Sequence, residues 1–348
     1  MRNRKIMFLS VAAIMSLVAC NGNNQPSSKS APKEESSSMA PTTSVKEKDP
    51  NEVSVFVMTG QSNMEGKSRF SESNINSVFT DLEITDGNCC ITGIEEVQTS
   101  FFGQGYDQIY DESLVHASNN ETGHKIEGKF LDTKGGMGDS NSTIGPELGA
   151  AYAIKDEVDP DNPVYFIKCG ISGSGFAQSS NNGDKINWNI DKEENLYVGI
   201  FKTYTDNCLQ LIKDAGKTPV IKGFMWNQGE SDAYDGKIEL YNERFNKLFD
   251  KFKEDYAEYA PDGDGDNIAL LDALIYEGGE SSSYKPVELN NEKLKNIEEH
   301  DNYYYVDATN REGGLGLTMQ DSLHYDLKSM FRLGMAYGQA ILDNDLLD

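Results

Sequence analysis

Five short runs of β-branched and aromatic residues recur along the chain: VSVFVM (53–58), PVYFIKC (163–169), PVIKGFMW (219–226), IALLDALIY (268–276) and YYYVDA (303–308). Helical patterns lie between and after them, over 146–157, 196–215, 238–259, 286–299 and 327–346. This alternation constrains the fold more than any other feature. Strands that are apolar along their whole length need cover on both faces, and strands separated by helices pair in parallel. The expected fold is therefore α/β, a three-layer α/β/α sandwich around a roughly five-stranded parallel sheet with right-handed crossovers.

One segment breaks the rhythm. Residues 68–141 are rich in Gly, Asn, Asp and Thr with scattered aromatics such as Phe101, Phe102 and Tyr106. They are expected to form an irregular insertion, a loop excursion close to the functional site. No internal repeat is visible.

The N-terminus has the layout of an export signal: basic RNRK, an apolar run over 6–18, then small residues ahead of Cys20. The run is too short to span a membrane comfortably. Its ending, LVAC, resembles the bacterial lipobox, which implies removal of 1–19 and attachment of lipid at Cys20, with the chain held at the cell surface on the outer face of a bacterial membrane. Residues 20–51 are rich in Ser, Pro, Asn and Lys and carry too little apolar surface to offset ordering entropy, so a flexible tether is expected there. One folded domain over 52–348 follows. Cys89, Cys90, Cys169 and Cys208 fit no zinc spacing, and their pairing is open. A formal net charge of -26 repels phosphate backbones and argues against nucleic acid as a partner.

In open parallel sheets, ligands bind beyond the carboxyl ends of the strands. The polar clusters of this chain fall at those ends: TGQSNMEG after the first run, CGISGSGFA after the second, WNQGESDA after the third, and MQDSLHYD in the loop before the last helix. A serine hydroxyl needs a base, a group that orients the base, and donors for an oxyanion. Of the four histidines, His116 and His124 lie in the insertion and His300 follows a helix rich in Lys and Glu. His324 stands three residues after Asp321, close enough for that carboxylate to orient its ring, which makes it the candidate base.

GQSNMEG, TIGPELG, WNQGESDA and DSLHYD together resemble the sequence blocks of the SGNH-hydrolase superfamily, in its carbohydrate-esterase branch of sialate O-acetylesterase-like and acetylxylan esterases. They span 53–334 in the expected order, and a G-x-S-x-G elbow is absent. The resemblance implies Ser62 as nucleophile, His324 as base and Asp321 as the acid that orients it, with Glu230 of the QGE block as the alternative acid. It implies an oxyanion site made by the Ser62 N–H, Gly173 and the Gln228 amide, and Glu147 as a support for the loops. Gln61 and Asn63 flank the serine; each is a turn residue or a substrate contact, and Asn63 is also a possible anchor between loops. Trp226 and Phe176 are candidates to stack on a sugar.

The implied activity is removal of O-acetyl groups from carbohydrate, of the acetylxylan or O-acetyl sialic acid type, without cofactor. A carbohydrate-binding surface lipoprotein without catalysis, and a lipase or thioesterase of the same superfamily, are the alternatives. The run PDGDGDN (261–267) hints at calcium, but Asn267 and Ala273 stand where an EF-hand loop requires Gly and Glu, so it reads as a turn and no metal is expected.

Overall fold

A computed structural model of the protein describes residues 49–103, 129–176, 187–235, 237–279, 281 and 283–348. The signal segment, Cys20, most of the expected tether, Tyr106, His116 and His124 lie outside the described residues. The strands are β1 (Glu52–Gly60), β2 (Ser68–Arg69), β3 (Ile94–Gly103), β4 (Leu131–Thr133), β5 (Thr143–Ile144), β6 (Val164–Gly170), β7 (Thr218–Asn227), β8 (Ala269–Ala273) and β9 (Tyr303–Val306). Seven of them make one sheet in the order β4-β3-β6-β1-β7-β8-β9, while β2 and β5 form a separate antiparallel pair. Every neighbouring pair in the large sheet is parallel except β3 with β4.

All five expected strands are present, and the sheet exceeds the expected five by two. The additional strands, β3 and β4, come from the described parts of the expected insertion, 68–103 and 129–141, which are not irregular: they also hold a helix, Glu72–Asp81, entered through a capping box at Ser71 and Asn74. Strand β3, IEEVQTSFFG, begins with acids that face outward and becomes continuously buried only from Thr99 to Phe102. Half of it lacks the unbroken apolar signature of the central strands.

The central strand β1 shows why the fold has three layers. Val53, Val55 and Val57 point into one core, with the helices Lys202–Asp214, Tyr241–Asp255 and Pro286–Glu298. Phe56 and Met58 point into the other, with Glu72–Asp81, Glu147–Ile154 and Leu327–Asp343. Period-two alternation thus buries both faces of one strand. The helices Glu147–Ile154 and Leu327–Asp343 cross at glycines, where a Cβ on Gly149 would come within 2.1 Å of the Phe331 carbonyl oxygen. That contact positions the start of the last helix, capped by Asp326, and hence the loop just before it.

Cys89, Cys90, Cys169 and Cys208 are all thiols rather than disulfides. The PDGDGDN run forms two short 3-10 turns, and among the described residues no acidic or thiol cluster is arranged to hold a metal ion. No helix among the described residues is long and apolar enough to cross a membrane.

Beneath the carboxyl end of the sheet, Lys168 of β6 is fully buried. Its ammonium donates to Glu147 Oε2 at 2.7 Å, to the Met137 carbonyl at 2.6 Å and to the Glu65 carbonyl at 3.0 Å. The Lys168 and Glu147 side chains are 1% and 0% exposed. Removing one partner of such a pair strands the other charge without water. Lys168→Met is expected to lower unfolding stability by about 3–5 kcal/mol, read as a fall in the denaturant midpoint. Lys168→Met combined with Glu147→Leu should regain most of it.

Candidate active site

Ser62 stands at the first position of a one-turn helix, Ser62–Glu65, that leaves β1 directly. Its N–H is one of the donors that a helix start leaves without an intrahelical partner. The turn sits tightly against β6, where a Cβ on Gly170 would come within 2.3 Å of the Glu65 nitrogen. Ser62 is 6% exposed, and its hydroxyl takes no partner among the described residues.

His324 and Asp321 form a compact unit. Asp321 Oδ1 accepts the backbone N–H groups of Leu323 and His324, each at 2.8 Å, while Oδ2 lies 2.9 Å from His324 Nδ1. Burial works against the Asp321 charge, but the Leu323 N–H, the His324 ring and the His324 N–H outweigh it and hold the carboxyl below its usual value. A carboxylate facing Nδ1 puts the proton there and leaves Nε2 as the basic nitrogen. Glu230 is not part of this unit.

The side chain of Asn63 joins this unit to the serine turn. Asn63 Nδ2 donates to the Leu323 carbonyl at 3.1 Å, and Asn63 Oδ1 accepts the Tyr325 N–H at 3.4 Å. The two residues flanking His324 are therefore both held by the residue next to Ser62. Three further bonds run from the segment after the turn to the histidine loop. Ser68 Oγ donates to the Tyr325 carbonyl at 2.7 Å, Gln320 Nε2 donates to the Lys67 carbonyl at 2.8 Å, and the Arg69 N–H reaches Gln320 Oε1 at 3.4 Å. Residues some 260 positions apart are in this way fixed against each other.

Glu230 lies behind Asn63, whose Nδ2 donates to its Oε1 at 2.7 Å. Its Oε2 is buried with no partner among the described residues. Burial raises the Glu230 pKa above the usual carboxylate value, with the Asn63 bond, the Lys293 charge and the His324 charge acting the other way. Lys293 is itself buried, 2.8 Å from both the Asp272 carboxylate and the Gln228 carbonyl, and burial pushes the Asp272 pKa up to about 6.

Several expectations for single residues are corrected. Gln228 Nε2 faces three acceptors, Asp232 Oδ2 at 2.7 Å, Gln61 Oε1 at 3.1 Å and the Ser174 carbonyl at 3.3 Å. Both of its hydrogens are used in the fold, and the atom left over is its Oε1, an acceptor, so an oxyanion gains no donor from Gln228 in this arrangement. Gln61 is a brace rather than a substrate contact, its Oε1 also accepting the Gly229 and Ser231 N–H groups at 3.3 Å. Asn63 is fully buried and likewise meets protein rather than sugar.

Trp226 and Phe176 are buried too, with ring centroids 5.9 Å apart, and Trp226 Nε1 donates to the Tyr241 hydroxyl at 3.0 Å. They are core, because Trp188 closes over the end of β7 at 5.5 Å from Trp226. Gly173 has a φ of +67°, which suits glycine, and its N–H has no backbone acceptor among the described residues. The following Ser174 N–H closes the turn on the Ile171 carbonyl at 3.3 Å.

The sequence reading missed Glu65, whose buried carboxylate accepts from Ser172 Oγ and pairs with Lys67 at 3.2 Å, tying the Gly173 loop to the serine turn. It also missed Lys168, although a lysine inside the apolar run FIKCG was a visible signal.

Three comparisons with known proteins bear on this arrangement. The family model for carbohydrate esterases, sialic acid-specific acetylesterase, matches residues 52–343. No curated protein matches the chain. Among solved structures, a protein from Arabidopsis thaliana aligns with TM-score 0.54 and 20% identity over 85% of this chain and 99% of its own. NanS aligns at 0.52 and 15%, over 85% and 98%. A carbohydrate acetylesterase from Xanthomonas citri aligns at 0.50 and 14%, over 82% of this chain and 55% of its own. At these identities the solved structures show the fold, which they share with this chain.

Asn63→Ala removes the link between the serine turn and the histidine loop while leaving every acid and base in place. A displacement of about 1 Å at reacting groups can cost a hundredfold. The variant is expected to lose kcat by up to about a hundredfold with little change in KM and an unchanged circular dichroism spectrum.

Proposed function

We propose that this chain, which belongs to the sialic acid-specific acetylesterase family of carbohydrate esterases, releases acetate from acetylated glycans through Ser62, His324 and Asp321. As a member of that family it is a carboxylic ester hydrolase. The observation that carries the residue assignment is the link from Asn63 to both neighbours of His324, together with the Asp321 carboxylate on Nδ1.

In the proposed reaction, His324 Nε2 takes the Ser62 proton as Oγ bonds to the acetyl carbonyl carbon. The resulting oxyanion is met by the Ser62 and Gly173 N–H groups, and one such preorganised donor is worth about 3–4 kcal/mol of barrier. The bond to the sugar oxygen breaks as His324 returns the proton to that oxygen, leaving acetyl-Ser62. Water then attacks, losing its proton to the same histidine, and acetate departs with Ser62 restored. Asp321 keeps the ring in the correct tautomer throughout. Glu230, raised in pKa and bonded to Asn63, supports the loop and takes no proton from the histidine. Cys20 is proposed as a lipid attachment site, which would leave the esterase domain on the outer face of a bacterial membrane at the end of its tether.

Acetate release from a panel of acetylated glycans, set beside cleavage of long-chain acyl esters, tests the reaction class. Ser62→Ala is expected to lose several orders of magnitude in turnover, and full activity in that variant would end the residue assignment. Asp321→Asn should slow turnover more than Glu230→Gln; the reverse order would give the acid role to Glu230. Cys20→Ala should move the expressed protein from the membrane fraction to the soluble fraction.

A further inference from the structure

With Trp226 and Phe176 buried, the sugar-facing surface has to come from elsewhere. On the helix Glu230–Asp235, Tyr234 is 52% exposed, and its ring stacks on Tyr284, which is 5% exposed, with centroids 4.4 Å apart and planes at 29°. The buried ring holds the exposed one flat. The backbone holds them together as well, since the Lys285 N–H donates to the Ala233 carbonyl at 3.0 Å.

The position of this pair follows from helix geometry. Tyr234 comes four residues after Glu230, so the two share a helix face about 6 Å apart along the axis. Glu230 in turn is bonded to Asn63, the neighbour of Ser62, and the Ser231 N–H is bonded to Gln61 on its other side. Tyr234 therefore stands about one helical turn along from the residues bonded to the neighbours of the serine.

We propose that Tyr234, backed by Tyr284, is a binding subsite for a neutral pyranose ring next to the acetylated one. A flat aromatic face buries the C–H face of a sugar ring without needing a charge. The charges around it favour a neutral ligand. Lys285, next to Tyr284, is already paired with Glu288 at 3.1 Å, and the chain as a whole carries a formal net charge of -26. A sugar carrying its own carboxylate would meet repulsion there.

This inference rests on the esterase reading, and the test separates the two. The full chain is assayed with acetylated xylo-oligosaccharides, with an O-acetyl sialoside and with p-nitrophenyl acetate, which has no sugar to stack. Tyr234→Ala is expected to raise KM for the xylo-oligosaccharides about tenfold, the size of one lost aromatic contact. Its kcat on them and its turnover of p-nitrophenyl acetate should stay near wild type, and Tyr234→Trp should restore KM.

Equal loss on the xylo-oligosaccharides and p-nitrophenyl acetate, no change on either, or a larger effect on the sialoside would each overturn the subsite. Binding of acetylated xylo-oligosaccharide to Ser62→Ala, with and without Tyr234→Ala, reads the subsite without turnover, and equal affinity there would overturn it too. Full activity in Ser62→Ala would overturn the catalytic assignment, whatever Tyr234 does.

Discussion

The side chain of Asn63 holds the two ends of the fold in register. One amide accepts from Tyr325, donates to the Leu323 carbonyl and donates to Glu230, so that the loop before the last helix and the helix after β7 both meet the serine turn through it. These bonds are buried, where an unmade hydrogen bond costs the full desolvation of its group. The loop therefore cannot drift without leaving buried polar atoms unpaired. The unit of Asp321 and His324 is rigid in itself, but its position relative to Ser62 depends on this link.

The layer beneath serves the same end. Lys168 ties the carbonyl end of the serine turn to Glu147, and Lys293 lies under the Gln228 carbonyl beside Asp272. Both are long side chains that reach from within the α/β layers to carbonyls at the sheet's carboxyl edge. Neither is exposed, so neither is an economical way to stabilise a core. Their value is geometric: a buried ammonium with several acceptors in fixed directions has few alternative positions. Gln61 and Gln228 do the same with amides, linking the first and third polar clusters.

This network also redistributes roles among residues that look alike in a sequence. Gln228 and Gly173 both stand in polar clusters at strand ends. The hydrogens of Gln228 are used by Gln61, Ser174 and Asp232, whereas the Gly173 N–H, in a left-handed turn, meets no backbone acceptor among the described residues. Trp226 opens the WNQGESDA block and Tyr234 directly follows it, eight residues on, and one is covered by Trp188 and Phe176 while the other is open. The difference arises from distant chain segments folding over one and not the other.

What the sequence determined by itself was set by local chemistry: the central strands by unbroken apolar runs, the five long helical patterns by their periodicity, and the pairing of Asp321 with His324 by a spacing of three. The order of the sheet, the edge strand β4 and the membership of β3 were decided only by tertiary structure. A strand such as IEEVQTSFFG owes its place to β6 on one side and β4 on the other more than to its own composition. Burial at a strand's end, the partners of an amide and the exposure of a tyrosine were decided there too. Each depends on which remote segment comes to lie against it, and a local pattern carries no record of that.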